Sequence, residues 1–260
     1  MKKIIAIALM SIIYTNSFGD PISNDNSSPR GGKVGASVEG TVGADVVSRY
    51  VWRGQVLGDA AIQPTAGLSY KGLSLTGWAS ISFVDADKYD KEYDITLAYT
   101  TGGFNIGITD YFFDKPSGDN RYFEYRSCKD EEGNRLTKHV WEANVGYDFG
   151  PLAIQWYTNF AGNDGANCSG KRAYSSYFEL SAPFKLATCD WTAKLGFVPY
   201  ATDFYGNADG TMHCTVASVR CTKEIPVCKN WGIPVFGEII GNPSMKKAYL
   251  VLGASFALPE

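Results

Sequence analysis

The chain has 260 residues, of which 45% are hydrophobic, and its 24 Lys or Arg residues against 27 Asp or Glu residues give a net charge of −3. A weakly acidic chain lacks the basic surface that nucleic-acid binding requires, so we predict no nucleic-acid partner. The length suits one large β-domain and leaves too little chain for two ordinary domains.

The first nineteen residues have the pattern of an export signal. Lys2 and Lys3 precede an apolar run over residues 4–14, and small residues follow up to Gly19. The run is too short for a membrane-spanning helix, which needs roughly 20 apolar residues. We therefore predict a cleaved signal peptide over 1–19, a flexible leader rich in Asn, Ser, Pro and Gly over 20–35, and a β-domain over 36–260.

Beyond residue 35 the chain repeats a segment in which apolar side chains alternate with polar or small ones. Within 92–99, for example, Tyr93, Ile95, Leu97 and Tyr99 alternate with Glu92, Asp94 and Thr96. The segments have the length of about 9–11 residues that a transmembrane strand needs, whereas soluble strands average about five or six. We predict about twelve strands, over 36–53, 61–70, 73–84, 91–101, 104–113, 138–149, 152–161, 173–182, 190–199, 211–222, 231–240 and 246–257.

A soluble β-sandwich would show the same alternation, with its apolar face on a core. Two features favour a membrane barrel: aromatic residues near both ends of the apolar faces, and a mean hydropathy of −0.15 despite the high hydrophobic content. Outer-membrane barrels have short turns on one side of the membrane and longer loops on the other. Short turns at 71–72, 102–103 and 150–151 fit this pattern, whereas the connections at 183–189 and 223–230 should be short turns and are longer.

The sequence therefore predicts an all-β protein, a transmembrane antiparallel up-and-down β-barrel of about twelve strands in the bacterial outer membrane. In this barrel the aromatic-rich side of each strand faces lipid. On the first strand, over 36–53, that side carries Tyr50 and Trp52 near the outer rim.

The stretch from Ala44 to Gly54, ADVVSRYVWRG, resembles the opening of the TorF-type family of predicted bacterial porins, in the form found in Bacteroidetes. Further similar stretches lie at 62–64, 109–111, 139–142, 175–180, 233–237, 242–243 and 251–256. The resemblance extends over nearly the whole chain after the leader and implies an outer-membrane barrel with porin activity. This chain differs from the family in its six cysteines and in a long loop over 114–137.

Nine charged side chains are predicted to face the lumen, because Arg or Lys at mid-depth on the lipid face costs about 2–4 kcal/mol. They are Asp45, Arg49, Arg53, Glu92, Asp94, Glu142, Asp148, Glu179 and Lys194. Either the barrel is a channel whose charges filter small solutes, or it is a closed barrel in which Arg49 and Arg53 pair with acids on the fourth and sixth strands. Twelve strands lie between the roughly eight of a filled barrel and the roughly sixteen of an open one, so both hypotheses stand.

A closed barrel would serve as a scaffold, a surface receptor or a subunit of an outer-membrane complex. Its mixed-charge loop over 114–137 would then be solvated, present a binding surface or fold inward as a constriction. The expected partners are outer-membrane lipid, small solutes and other outer-membrane proteins. A lipid hydrolase built into the barrel is a second alternative, with His139 better placed than His213. No Ser is spaced against either histidine and no Gly-x-Ser-x-Gly turn occurs, so we predict no enzyme.

Six cysteines follow the export signal, and an oxidising compartment favours disulfides. They are Cys128, Cys168, Cys189, Cys214, Cys221 and Cys228. Since no Cys-x-x-Cys pair occurs and the chain has only two histidines, we predict neither a metal site nor a cofactor. The topology predicts a bridge between Cys128 and Cys168 in adjacent outer loops. It also predicts a periplasmic-side bridge from Cys189 to Cys221 or Cys228, with Cys214 left unpaired.

Overall fold

A computed structural model describes residues 37–85, 87–116, 121–126, 128–129, 136–228 and 231–257. The predicted signal peptide and leader lie outside these residues. No helix in the described part of the chain is long and apolar enough to cross a membrane. The described strands are β1 (Glu39–Val47), β2 (Tyr50–Trp52), β3 (Gln55–Gly58), β4 (Ala61–Tyr70), β5 (Leu73–Ser82), β6 (Lys91–Thr101), β7 (Phe104–Asp114), β8 (His139–Asp148), β9 (Ala153–Gly162), β10 (Ser176–Leu186), β11 (Cys189–Val198), β12 (His213–Cys228), β13 (Trp231–Asn242) and β14 (Lys247–Ala257).

Twelve of these strands form a closed antiparallel barrel, which confirms the predicted fold class. Strand β1 closes it by pairing with β4 on one side and with β14 on the other, where Gly43 lies opposite Ala257. From β4 to β14 each strand pairs with the next along the chain. Closure leaves no exposed sheet edge with unpaired backbone groups, which a lipid environment would not tolerate.

The two faces of the barrel wall differ in polarity, strand by strand. Inward positions are buried and polar, including Gln63, Thr65, Thr96, Thr109 and Ser218. Outward positions expose large apolar side chains on every part of the circumference, among them Val46, Ile62, Leu75, Leu97, Ile106, Val145, Leu195, Val219, Ile239 and Leu252. A continuous apolar exterior of this kind is what a barrel surrounded by hydrocarbon requires.

Connections at one end of the barrel are short and those at the other end are long. In the described part of the chain the short turns lie at 71–72, 102–103, 149–152 and 187–188. Most of 183–189 and the described residues 223–228, which looked too long for short turns, belong to strands that extend further than the alternation indicated. Strand β10 continues to Leu186, and β12 continues past Thr222, the last residue that pairs with β11, as far as Cys228.

The prediction of one strand over 36–53 is wrong in its second half. Strand β1 ends at Val47, and residues 50–58 form β2 and β3, a separate two-stranded hairpin inside the barrel, which we call the inner hairpin. Tyr50 and Trp52 therefore do not face lipid: Tyr50 packs edge-on against the inward Trp78, and Trp52 packs against Tyr111 of the wall. The alternation Arg-Tyr-Val-Trp-Arg has the same period in a wall strand and in a hairpin, so it does not distinguish them.

The inner hairpin helps to fill the half of the lumen nearer the long loops. Its Val51 and Trp52 pack, together with Phe204 and Tyr205 from the 199–212 loop, on an inward-facing apolar cluster. The buried wall members of that cluster are Val47, Ala61, Tyr177, Val198, Val216, Phe236, Ile240 and Val251. The long-loop end of the barrel thus has an apolar core, unlike the polar end nearer the short turns.

The described part of the long loop, 121–126, packs near the outward-facing His139 instead of entering the lumen. The His139 ring lies 5.0 Å from Tyr122 and 4.5 Å from Tyr125, and its Nδ1 is 2.8 Å from Asp110 Oδ1. Ile106 and Val145 are paired across β7 and β8 and point outward. Phe112 and His139 are paired on the same two strands, six residues away along each, and an even number of residues along a strand returns to the same face. The Phe112–His139 pair therefore also lies on the outward side. Residues 121–126 therefore cover the Asp110–His139 pair on the outside of the wall. The element that narrows the lumen is the inner hairpin, not this part of the loop.

All six cysteines are free thiols in this structure. The thiol of Cys168 donates to the carbonyl oxygen of Ala208 at 3.4 Å, and its predicted bridge to Cys128 stays a prediction. Cys221, in contrast, is in side-chain hydrogen-bonding contact with Cys189 on the neighbouring strand. Of the predicted pairings, the one with the best geometry is therefore Cys189 with Cys221.

We predict that the exported protein contains a Cys189–Cys221 disulfide, which would stabilise the native state by about 2–4 kcal/mol. Peptide mapping under non-reducing conditions should yield one linked peptide pair containing these two residues. Recovery of Cys189 joined to Cys228, or of both thiols fully alkylated in protein taken from membranes, would contradict this prediction.

Candidate functional site in the barrel lumen

Two cavities lie along the inner side of the described wall. One, of about 200 Å³, lies against the inner hairpin and is lined by wall residues such as Asp45, Asp94 and Glu142. The other, of about 760 Å³, lies at the short-turn end and is lined by residues such as Ser74, Thr100 and Asp148. The larger of these two cavities thus lies at the end of the lumen away from the inner hairpin.

Arg53, at the tip of the inner hairpin, is buried in the lumen and fully engaged. Its guanidinium donates to both carboxylate oxygens of Glu142 on β8, with Nη2–Oε1 at 2.9 Å, and to the hydroxyl of Tyr205. Tyr111 on β7 donates a further hydrogen bond of 2.8 Å to Glu142. Burial lowers the pKa of Arg53, but the contacts with Glu142, Tyr205 and Tyr111 together raise it, so the guanidinium stays charged.

Aromatic rings enclose the same guanidinium. Its central carbon lies 4.1 Å from the ring centroid of Tyr157, 4.4 Å from that of Trp52 and 4.7 Å from that of Tyr177. Cations over aromatic faces at such distances are stabilised, more so where water is excluded. We call the set Tyr111, Glu142, Tyr157, Tyr177, Tyr205 and Trp52 the Arg53 cage; the first four members belong to wall strands.

The tip of the inner hairpin also docks on the opposite wall. Gly54 has a φ of +83°, and a Cβ at this position would lie 2.0 Å from the carbonyl oxygen of Thr215 on β12. The side-chain amide of Asn242 on β13 donates to the Gly54 carbonyl at 3.0 Å. Glycine is required here both by the left-handed backbone and by the close approach to β12.

The nine charged residues predicted for the lumen fall into three groups. Seven line the cavity beside the inner hairpin: Asp45, Arg49, Arg53, Asp94, Glu142, Glu179 and Lys194. Glu92 is buried on the same face of β6 and accepts a hydrogen bond from Tyr50. Asp148 is remote from both groups, at the short-turn end.

The predicted pairing of the arginines is only partly as expected. Arg53 meets Glu142 of the sixth wall strand as predicted, but it does so from the inner hairpin and not from the first strand. Arg49 lies between β1 and β2 and pairs with Asp59 at 3.4 Å. Lys194 pairs with Glu179 at 3.8 Å.

Sequence reasoning missed a further ion pair and the aromatic part of the site. Arg220 and Glu238 lie 3.8 Å apart in the lumen, on β12 and β13. Each is the single charged residue of its predicted segment, 211–222 or 231–240. With the strand limits known, that isolated charge would have indicated an inward side chain. The tyrosines of the Arg53 cage gave no such signal, because inward and outward tyrosines look alike in the sequence.

The two histidines lie outside this site. His139 uses both ring nitrogens, one toward Asp110 and one toward the Tyr122 carbonyl. His213 lies 3.0 Å from Asp209 in the 199–212 loop region, where hydrogen bonds from Thr211 and His213 lower the pKa of Asp209. Among the described residues, no three His, Cys, Asp or Glu side chains are grouped to hold a metal ion.

No protein-family model matches the chain, and no curated protein matches it significantly. Among solved structures, it is similar to the calcium-bound dimer of outer membrane phospholipase (OMPLA) from Salmonella typhi, at 9% identity over 89% of this chain and 95% of that one, with a TM-score of 0.39. It is also similar to the COG4313 outer membrane channel from Pseudomonas putida F1, at 12% identity over 92% and 99% of the chains and a TM-score of 0.31. The outer membrane protein opdK from Pseudomonas aeruginosa matches at 10% identity over 84% and 60%, with a TM-score of 0.34. At such low scores the comparisons add no detail, and the strand pairing of this chain itself establishes its twelve-stranded closed barrel.

Proposed function

We propose that this protein is an outer-membrane channel of the TorF type for small solutes, and that the inner hairpin is its gate. The described conformation is the closed state. In the open state the hairpin leaves the outer half of the lumen, which joins the cavity at the short-turn end to the outside.

One observation carries this proposal: the inner hairpin lies inside the lumen without belonging to the barrel wall. Strands β2 and β3 form their own two-stranded sheet, and β1 pairs directly with β4 beneath them. The hairpin is held by side-chain contacts, chiefly Arg53 with Glu142 and Asn242 with the Gly54 carbonyl. Its movement would therefore leave the hydrogen-bonded strand pairing of the described wall intact, and loops gate many channels and enzymes in a comparable way.

The charged lumen supports a channel for polar solutes. Three ion pairs, Arg53–Glu142, Lys194–Glu179 and Arg220–Glu238, hold the interior together across different strands. Asp94 is only 6% exposed and its Oδ1 lacks a hydrogen-bond partner. Buried unsatisfied carboxylate oxygens are costly, so a lumen that carries one suits water and solute passage better than a permanently sealed core.

The apolar exterior and the export signal support a place in the bacterial outer membrane, with lipid as the surrounding partner. We infer no hydrolytic activity. Both ring nitrogens of His139 are already occupied, and a general base must keep one nitrogen for its nucleophile.

Planar-bilayer recording on the purified protein and on the Arg53→Ala variant tests the proposal. Removing the guanidinium deletes the main contacts that hold the hairpin, so we expect the time-averaged conductance to rise on the order of ten-fold over the wild type. Arg126→Ala, which removes an exposed arginine paired with Glu124 outside the lumen, should leave the conductance unchanged. If neither the wild type nor Arg53→Ala passed current, the barrel would be a closed scaffold or receptor instead.

A further inference from the structure

Arg53 acts as a ligand tethered to the protein. Its guanidinium is bound by a carboxylate and four aromatic rings, and all of these except Trp52 stay behind when the inner hairpin leaves. Glu142 is 2% exposed and Tyr177 is 1% exposed, so the emptied site would be a deep pocket in the wall and not a surface patch.

We infer that the Arg53 cage is a binding site for solutes that carry a guanidinium group, which compete with Arg53 for it. This inference rests on the proposed gate, because the site becomes available only when the hairpin moves. A solute can occupy the cage only when the inner hairpin has left it, so its binding would stabilise the open state. The transported solute would therefore itself favour opening.

The geometry selects guanidinium over other cations. Glu142 accepts from both Nη atoms of Arg53 at once, and a planar fork of donors matches a carboxylate in this way while a spherical ammonium does not. The flat faces of Tyr157 and Tyr177 lie over the guanidinium carbon at 4.1 and 4.7 Å, which fits a planar cation. The Tyr205 hydroxyl accepts a further hydrogen bond, and burial raises the pKa of Tyr205, so this group remains neutral.

The neighbourhood of the cage is acidic, which also favours a cationic ligand. Asp94 carries a buried carboxylate oxygen without a hydrogen-bond partner and lines the same cavity. Glu142 and Asp94 are close enough to interact electrostatically. A cation that replaces Arg53 again pairs with the buried Glu142 carboxylate, whereas a neutral or anionic solute leaves that carboxylate without a cationic partner.

Calorimetric titration of the full-length protein in detergent micelles with methylguanidinium tests this inference without any current measurement. In Arg53→Ala the cage is empty, so methylguanidinium should bind on the order of ten-fold or more tightly than to the wild type. N-methylurea, its neutral counterpart of the same shape, should show no such gain. Adding Glu142→Gln to Arg53→Ala should abolish the gain, and Arg126→Ala should behave as the wild type. If Arg53→Ala does not refold, Arg53→Lys serves instead, because methylguanidinium should displace its poorly fitting ammonium more easily than it displaces Arg53.

Equal binding of methylguanidinium by the wild type and Arg53→Ala, or by the variants with and without Glu142, would overturn the inference. If Arg53→Ala conducts but does not bind methylguanidinium, the cage is not a solute site and the gate stands. If it binds methylguanidinium but passes no current, the site stands and the proposed channel fails.

Discussion

Replacing Glu142 with alanine is expected to release the inner hairpin and to expose the Arg53–Gly54 peptide bond to trypsin. Removing one partner of a buried ion pair costs about 3–5 kcal/mol. Here Arg53 can escape this cost by moving into water with the hairpin, because β2 and β3 share no hydrogen-bonded ladder with the wall. At about 1.4 kcal/mol for each tenfold change, the released fraction should rise by roughly 100- to 4,000-fold.

Trypsin measures that fraction, because cleavage follows the population of the open form when reclosing is fast. The rate of cleavage after Arg53, determined by mass spectrometry on protein in liposomes, should increase by a similar factor in Glu142→Ala. Glu124→Ala is the matched control: it removes the carboxylate of an exposed Arg–Glu pair, and such pairs contribute little. An unchanged cleavage rate in Glu142→Ala would mean that the carboxylate does not hold the hairpin.

The barrel could be predicted from the sequence because its signal is local and repeated. Each wall strand alternates apolar and polar residues over about ten positions, and alternation fixes which face each residue occupies. In β6, for example, Glu92, Asp94 and Thr96 are buried, whereas Ile95 and Leu97 between and beyond them are exposed. Closure then follows from physics, since a sheet in hydrocarbon cannot leave an edge unpaired.

The inner hairpin and the Arg53 cage could not be predicted in the same way, because both depend on contacts made only after the barrel closes. Arg53 and Glu142 are 89 positions apart, and Arg53 and Tyr205 are 152 apart. No local pattern distinguishes a hairpin inside a barrel from a continuation of a wall strand. The one local hint was Gly54 after Arg53, since a glycine in a strand commonly marks a bend or a close backbone approach.

Gly54→Ala is expected to open the channel without changing any charge in the lumen. The new methyl group would lie 2.0 Å from the Thr215 carbonyl oxygen and 2.8 Å from the Asn242 amide nitrogen. An L-residue at a φ of +83° adds strain of about 1–2 kcal/mol, and overpacking typically costs about 1–3 kcal/mol more. Both the clash and the backbone strain are relieved only when the inner hairpin leaves the wall. We therefore expect the time-averaged conductance in planar bilayers to rise by at least roughly ten-fold.

Gly150→Ala is the control that separates the clash from the backbone strain. Gly150 has a similar φ of +90°, but nothing lies within 4 Å of its added Cβ, and it belongs to a short turn far from the inner hairpin. Its conductance should equal that of the wild type. Since Gly54→Ala leaves Arg53, Glu142 and the cage tyrosines in place, an increase confined to Gly54→Ala could arise only from movement of the hairpin. An unchanged conductance in Gly54→Ala, in protein that retains the folded barrel, would show that the hairpin is a fixed part of the lumen and that solutes do not pass through the space it occupies.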